Sequence, residues 1–170
     1  MSFWTENSLE PRRSYRFRLG STEGLEIGKT GRSPYWWHAK RVDKPSYTIS
    51  SSKYRLINHE VNVPGIASWT PITIEVVDLG KTVKNLMAQL SQFGYDPDSL
   101  GRDTGLAKSN ALKQIGVIRI EQLGADGRTL ETWKLEQAFI SDVKFGSLSY
   151  ETDEVVTVTI TVTYDYAILE

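Results

Sequence analysis

The sequence contains no cysteine. That excludes disulfide cross-links, thiolate zinc sites and cysteine nucleophiles, and it leaves the redox compartment open. Histidine is almost as scarce. Only His38 and His59 occur, and neither has a second His, Cys or Glu at metal-ligand spacing. No metal site and no cofactor is expected. No run approaches the ~20 apolar residues of a membrane-spanning helix. The opening MSFWTENSLEPRR has no apolar stretch suited to a signal peptide. There is no G-x-S-x-G elbow and no Walker loop. The 21 carboxylates are scattered, with none in a recognisable acid/base frame. The chain reads as non-enzymatic.

What is present is an ordinary soluble composition: 170 residues, 39% hydrophobic and 24% charged, enough for one domain with its own core. The net charge of −1 implies no general attraction to nucleic acid or to an anionic membrane. The distribution is uneven. Residues 1–60 carry 11 Lys/Arg against 6 Asp/Glu, and residues 61–170 carry 9 against 15. A basic front and an acidic back suit head-to-tail self-association; chance asymmetry within one compact domain would look the same.

Strand patterns dominate. Tyr15, Phe17 and Leu19 alternate with Arg16 and Arg18, a half-buried strand with a basic outer face. Residues 20–34 hold Gly20, Gly24, Gly28, Gly31 and Pro34 and read as a flexible loop. Residues 35–42 and 46–50 read as extended, interrupted at Lys44-Pro45. Residues 53–63 predict another strand, ended by a Pro64-Gly65 turn, and 72–77 alternate again. Val83, Leu86, Met87, Leu90 and Phe93 fall three and four apart and predict a helix over 81–93. Asp78 or Thr82 is placed to cap its start and Gly94 its end. A second loop is expected over 95–108, with a short helical turn to Gln114. Its Asp96-Pro97-Asp98 opening is not a calcium loop, because Leu100 and Ala107 occupy ligand positions. Val117–Leu123 and Thr129–Leu135 predict a hairpin across Gly124-Ala125-Asp126-Gly127. Residues 137–145 predict a further strand, followed by a polar turn over 146–153. The closing strand sets Val156, Val158, Ile160, Val162, Tyr164 and Tyr166 on one face and Thr157, Thr159, Thr161, Thr163 and Asp165 on the other. The order predicts a mainly β fold: two packed antiparallel sheets, as a barrel or sandwich, with one flanking helix, in a single domain over 1–170.

Two patterns invite functional readings. Trp36, Trp37 and His38 beside Lys40 and Arg41 mix rings with positive charge, as a base-stacking surface does. Adjacent aromatics in an extended segment also pack under a neighbouring element or subunit. The four threonines of the last strand offer uncharged hydroxyls along one side, fitting either a wetted barrel wall or the solvent face of a monomer.

Four segments together resemble the tail tube proteins of contractile-tailed phages. They are EPRRSYRFRL; NHEVNVPGIASWTPITIEVVD, with Pro64, Gly65, Trp69, Pro71 and Asp78; VIRIEQLGADGRTLETWKLEQAFISDVKFGSLSYETDE, with Asp126, Gly127, Trp133, Leu135, Ala138, Phe139 and Tyr150; and VTVTITVTYDYA, with Tyr164, Asp165, Tyr166 and Ala167. The resemblance spans most of the chain and is weakest over 20–45 and 95–110.

The resemblance implies a hexameric ring in which each subunit gives four strands to a continuous inner barrel, the rings stacking into a tube. At ~4.8 Å per strand, 24 strands enclose a backbone diameter of ~37 Å and a bore of about 27 Å. Hydrated duplex DNA, roughly 20–25 Å wide, passes such a bore. A conduit must not hold its cargo, and basic lumen residues would hold DNA. Thr73, Glu75, Arg119, Glu121, Thr157, Thr159, Thr161 and Thr163 are the lumen-facing candidates, Arg119 provided that Glu75 or Glu121 pairs with it. The opposite assignment turns these faces outward, toward a sheath. Trp36, Trp37, His38, Lys40 and Arg41 are the ring-stacking candidates. The implied partners are further copies of the chain, the tail sheath, a tape-measure protein in the lumen, baseplate and tail terminator proteins, and double-stranded DNA in transit; no membrane is implied. The implied location is the phage virion, after synthesis in the bacterial cytoplasm. Two alternatives keep the same fold: the inner tube of an extracellular contractile injection system, and the haemolysin-coregulated protein of type VI secretion, both carrying protein effectors. A monomeric β-barrel binding module is the remaining alternative.

Overall fold

Burial alternates with period two along two central segments. Ile72, Ile74 and Val76 are buried while Thr73, Glu75 and Val77 are half-buried; Val158, Ile160 and Val162 are buried while the intervening threonines are half-buried. Each is a strand with one face on a core. A computed structural model describes residues 12–21, 36–92, 94, 116–151 and 153–170. The loop expected over 20–34 lies outside the described residues from position 22 onward, and Gly20 and Ser21 belong instead to the first strand. The loop over 95–108 and the helical turn after it also lie outside them.

The described residues form β1 (Phe17–Ser21), β2 (Ala39–Val42), β3 (Ser46–Leu56), β4 (His59–Thr70), β5 (Ile72–Val77), α1 (Thr82–Gln92), β6 (Ile118–Leu123), β7 (Thr129–Glu136), β8 (Phe139–Lys144), β9 (Thr157–Thr163) and β10 (Tyr166–Leu169). One sheet has the order β1-β6-β7-β10 and the other β2-β5-β9-β8, each with four antiparallel strands; β3 and β4 pair separately. Leu19, Ile118, Ile120 and Leu135 of the first sheet meet Ile74, Val158 and Ile160 of the second in one core. The result is the expected mainly β sandwich with one helix, and the sheets do not close into a barrel within one copy.

Two long ribbons build it. In the first, β2 and β5 pair as Val42↔Ile74, and the same register reappears in the β3–β4 hairpin as Ser46↔Thr70. Lys44-Pro45 and Pro71 interrupt the ladder between them, because proline has no N–H to give. In the second ribbon, β7 and β10 pair as Tyr166↔Glu136, and β8 and β9 as Phe139↔Thr163, again in one register. This hairpin therefore crosses from one sheet to the other. The corner lies at Gln137, whose φ is +56°, opposite Asp165, whose N–H donates to Glu136 O at 3.2 Å. Strands that switch sheets need such a bend.

The corner corrects two expectations. The closing strand is two strands, and its parity changes at the bend. Tyr164 is buried with Val158, Ile160 and Val162, but beyond Asp165 it is Ala167, opposite Leu135, that faces the core. Tyr166 is on the outer side, not on the apolar face. The region from 53 to 63 is also not one strand. The chain turns at Ile57-Asn58, and Pro64-Gly65 sits inside β4 at a bulge, where Ile49↔Ala67 is followed by Ser51↔Pro64. A bulge and an isolated ribbon tolerate proline.

The helix is placed as its periodicity predicts. Leu86 is fully buried, with Val83 and Leu90 packed on the core. Thr82 Oγ1 accepts from Leu79 N at 3.2 Å, while Asp78 accepts from Gly80 N at 3.0 Å and holds the preceding turn. The Asp126-Gly127 hairpin stands as expected, with Ile118↔Leu135 and Leu123↔Thr129, and Gly127 in the left-handed region at φ +76°. At the open end of the first sheet, Lys44 Nζ reaches Glu131 Oε1 at 2.8 Å and Gln122 Oε1 at 2.6 Å, and Arg12 pairs with the same Glu131. Burial, and then the nearby Arg12, lower the Lys44 pKa.

Candidate assembly surfaces

The threonine face is real and continuous. Thr73 lies opposite Thr161, Glu75 opposite Thr159, and Val77 opposite Thr157. On the flanking strands Arg41 lies opposite Glu75, Lys144 opposite Thr159, and Asp142 opposite Thr161. The outer side of the second sheet is thus hydroxyl-rich, with charges of both signs at its margins. Lys40 Nζ approaches Glu75 Oε1 at 3.4 Å, and Arg41 approaches Asp43 at 3.3 Å. Exposed pairs of this kind contribute at most about 1 kcal/mol and serve mainly to balance charge.

Arg119 and Glu121 are elsewhere. They lie on the outer side of the first sheet, beside Lys134 and Thr132. Glu121 and Glu75 belong to different sheets, yet both line one cleft of about 570 Å³ that also takes in Lys40, Arg41 and Gln122. The structure brings Thr73, Glu75, Thr157, Thr159, Thr161 and Thr163 together on one sheet and places Arg119 and Glu121 on the other. The two carboxylates on which the lumen assignment of Arg119 depends face other cations: Glu121 lies 2.8 Å from Arg18 Nη2, and Glu75 faces Lys40. Parity along a strand assigns a face within one sheet; it does not say which sheet.

The aromatic–basic cluster also divides. Trp36 is 2% exposed, belongs to the core, and donates its backbone N–H to Leu19 O at 2.7 Å. It is not available as a stacking anchor. Trp37, by contrast, is 64% exposed. His38 is half-buried, its carbonyl accepts from Val77 N at 3.0 Å, and burial lowers its pKa. Lys40 and Arg41 are on the edge strand β2. Of the five ring-stacking candidates, Trp37, Lys40 and Arg41 face outward.

One uncovered feature among the described residues lies outside the candidates named from the sequence. The β3–β4 hairpin is exposed along almost its whole length. Trp69, at its base, is the exception. It lies 5.1 Å from the Tyr47 ring and 5.9 Å from the ring of Tyr164, whose phenol pKa is raised by burial. From this hinge the hairpin projects as an arm bearing Tyr54, Leu56, Ile57, Val61 and Val63 in the open. The signal was present: Tyr54 and Leu56 alternate on one side of Asn58, Val61 and Val63 on the other. Other residues quoted from the four segments take structural places. Pro64 and Gly65 form the arm's bulge, Asp78 donates its N–H to Val156 O at 2.9 Å, Trp133 donates its indole N–H to Glu131 Oε1, Phe139 opens β8, and Tyr150 stands fully exposed after it.

Among the described residues the edge strands are β1 and β10 in the first sheet and β2 and β8 in the second, with the Trp36 N–H closing β1 at Leu19 O. Open edges present N–H and C=O groups that a further strand can pair. Among the described residues no three His, Cys, Asp or Glu gather as metal ligands, and no helix is long and apolar enough to cross a membrane.

Known structures superpose on nearly the whole of this chain. A chain of the extended sheath–tube complex of an extracellular contractile injection system, PVC, superposes with a TM-score of 0.67 at 19% identity, covering 98% of each chain. This is the tail-tube fold. A chain of the PVC sheath/tube terminator in the extended state gives 0.68 at 20% identity, over 95% of this chain and 97% of that one. A chain of the anti-feeding prophage tube-terminating cap gives 0.66 at 18% identity, over 95% and 91%. Neither protein-family models nor curated protein sequences give a match.

Proposed function

We propose that this chain is a structural subunit of a tail tube, and that its sheets are completed by neighbouring copies. The observation that carries the reading is the pair of open edges, β2 and β8, on a sheet whose outer side is hydroxyl-rich. Pairing β8 of one copy with β2 of the next satisfies both edges. Repeated in one direction, this is a heterologous contact, and it closes into a ring if the rotation allows. Six copies give a 24-stranded wall, and stacked rings give a tube.

On this reading Thr73, Glu75, Thr157, Thr159, Thr161 and Thr163 line the bore, while Arg119 and Glu121 belong to the other sheet. Threonine keeps a passing duplex hydrated, and Glu75 beside Lys40 and Arg41 leaves little net positive charge to hold phosphates. The bore conducts a phage genome during ejection, with sheath outside, tape-measure protein inside, and baseplate and terminator at the ends. The particle is a virion tail.

A second reading has its own support, because the structures reported above come from extracellular contractile injection systems. There the tube would carry protein effectors rather than DNA. The neighbouring genes separate the two cargoes.

Light scattering and negative-stain microscopy of the purified chain test the assembly. Rings or tubes about 37 Å across at the inner wall, from the strand spacing, are expected. A monomer that persists at high concentration contradicts the proposal.

A further inference from the structure

The second sheet carries its edge charges in rows. Lys144 lies opposite Thr159, Thr159 opposite Glu75, and Glu75 opposite Arg41, so this row ends in a cation at each edge. In the neighbouring outward row, Asp142 lies opposite Thr161 and Thr161 opposite Thr73, whose carbonyl accepts from Asp43 N at 3.0 Å. That row ends in an anion at each edge. Asp142 and Lys144 are exposed, and among the described residues neither has an ion-pair partner. Arg41 approaches Asp43 at 3.3 Å, and a carboxylate has room for a second donor.

Joining β8 of one copy to β2 of the next in straight rows would set Lys144 against Arg41 and Asp142 against Asp43. Like charges directly opposite are destabilising. A slide of one residue turns every side chain to the wrong face, so the seam moves only in steps of two. A closed barrel demands a slide, because its strands tilt and their register staggers. Moving β8 two residues one way sets Lys144 opposite Asp43. Moving it two the other way sets Asp142 opposite Arg41.

The core side of the seam separates these two. Val143 packs on the core, and alternation puts Phe145 on the same side, where it is 41% exposed. Beside β2 opens the cleft of about 570 Å³, with Tyr15, Phe17, Val42, Ile120 and Trp133 in its lining. The first slide brings Phe145 opposite Val42, over this cleft. The second carries Phe145 past Ala39, the first residue of β2.

We infer that copies join β8 to β2 two residues out of line, with Lys144 of one copy paired to Asp43 of the next and Phe145 of the first covering the cleft of the second. The inference rests on the ring reading and names the residues that set its register.

The absence of cysteine leaves only introduced thiols to react. Directly opposed residues have Cα atoms ~4.5–5.5 Å apart, within disulfide reach. Within one copy positions 43 and 144 stand three strand spacings apart, ~14 Å, and beyond it. Assembled and mildly oxidised, Lys144→Cys/Asp43→Cys should give a covalent ladder on a non-reducing gel that collapses with reductant. Lys144→Cys/Arg41→Cys reports straight rows and Asp142→Cys/Arg41→Cys the opposite slide. Each should give less than about a tenth of that product. A dominant ladder from either, or rings seen by microscopy with no ladder from any variant, overturns the register while leaving ring closure standing. An unmodified chain that forms no ring removes both. In a second arm, Lys144→Asp should raise the concentration needed for rings at least tenfold, and adding Asp43→Lys should restore most of it. Unchanged rings in Lys144→Asp, or no recovery in the double variant, overturns the pairing. Phe145→Ala should raise the same concentration several-fold, and an unchanged value removes Phe145 from the seam.

Discussion

Gly65 sits against Ser50 so closely that a Cβ on the glycine would lie 2.5 Å from the Ser50 hydroxyl. That hydroxyl accepts from Ile66 N at 3.0 Å and lies 3.3 Å from Ile66 O, so it ties the bulge across the arm. The bulge is where the apolar side of the arm changes over. Gly65→Ala should push the Ser50 side chain off the Ile66 N–H and loosen the outer arm. The overpacking is expected to cost about 1 kcal/mol. Because the arm packs little on the body, the core melting transition should move only slightly while the arm amides lose protection. Thermal melts beside hydrogen exchange of the same sample check both halves.

The two adjacent tryptophans should behave oppositely. Trp36→Ala removes a buried ring from the core and should cost about 3–5 kcal/mol. Trp37→Ala removes an exposed one and should stay within about 0.5 kcal/mol. Urea denaturation of the two variants decides it. Equal losses would contradict the burial that separates them. Only Trp37→Ala is suited to testing a role in assembly.

His38 gives a pH dependence whose sign follows from burial. Its folded pKa is lowered below the ordinary value of 6.5. Above that value the imidazole is neutral in folded and unfolded chains alike, so it leaves stability unchanged. As pH falls through 6.5 toward the folded value, the unfolded chain takes up the proton first and folding weakens. Denaturation midpoints measured between pH 8 and pH 5 should fall toward the acid end, and the fall should shrink in His38→Gln. An unaltered slope in the variant would assign the effect to the carboxylates instead.

Much of this was legible in the residues themselves. Val158, Ile160 and Val162 announce a half-buried strand because one face meets a core, and Asp126-Gly127 announces a turn because Gly127 must adopt a positive φ. The helix was readable from Val83, Leu86 and Leu90. Three features were not. Ile57-Asn58 lacks the glycine that usually marks a tight hairpin, so Pro64-Gly65 looked like the turn. Gln137 and Asp165 carry no local sign of a corner, which exists because β7 and β10 must continue in a different sheet from β8 and β9. That Glu121 and Glu75 belong to different sheets is a long-range property that alternation does not encode. Tyr54 and Leu56 were visible as an apolar face, but only the isolation of the arm shows that nothing on their own chain covers them.

Charge on the threonine face should change what an assembled tube does to DNA. Thr159→Lys/Thr161→Lys places two cations per copy on the outer side of the second sheet. If that side lines the bore, the variant tubes should retain short duplexes that unmodified tubes do not, and retention should fall steeply as salt rises. Filter retention across a salt series reads this. Tubes that still form, but bind duplex only along their exterior under the microscope, would place the threonines on the outer wall.

The central claim is that copies complete one another's sheets, and a cryo-EM reconstruction of the assembled protein tests it most directly. The account predicts strand β8 of each copy hydrogen-bonded to β2 of the next, with Thr157, Thr159, Thr161 and Thr163 turned to the axis. Rings held together by contacts that leave β2 and β8 unpaired, or particles containing one copy only, would contradict it.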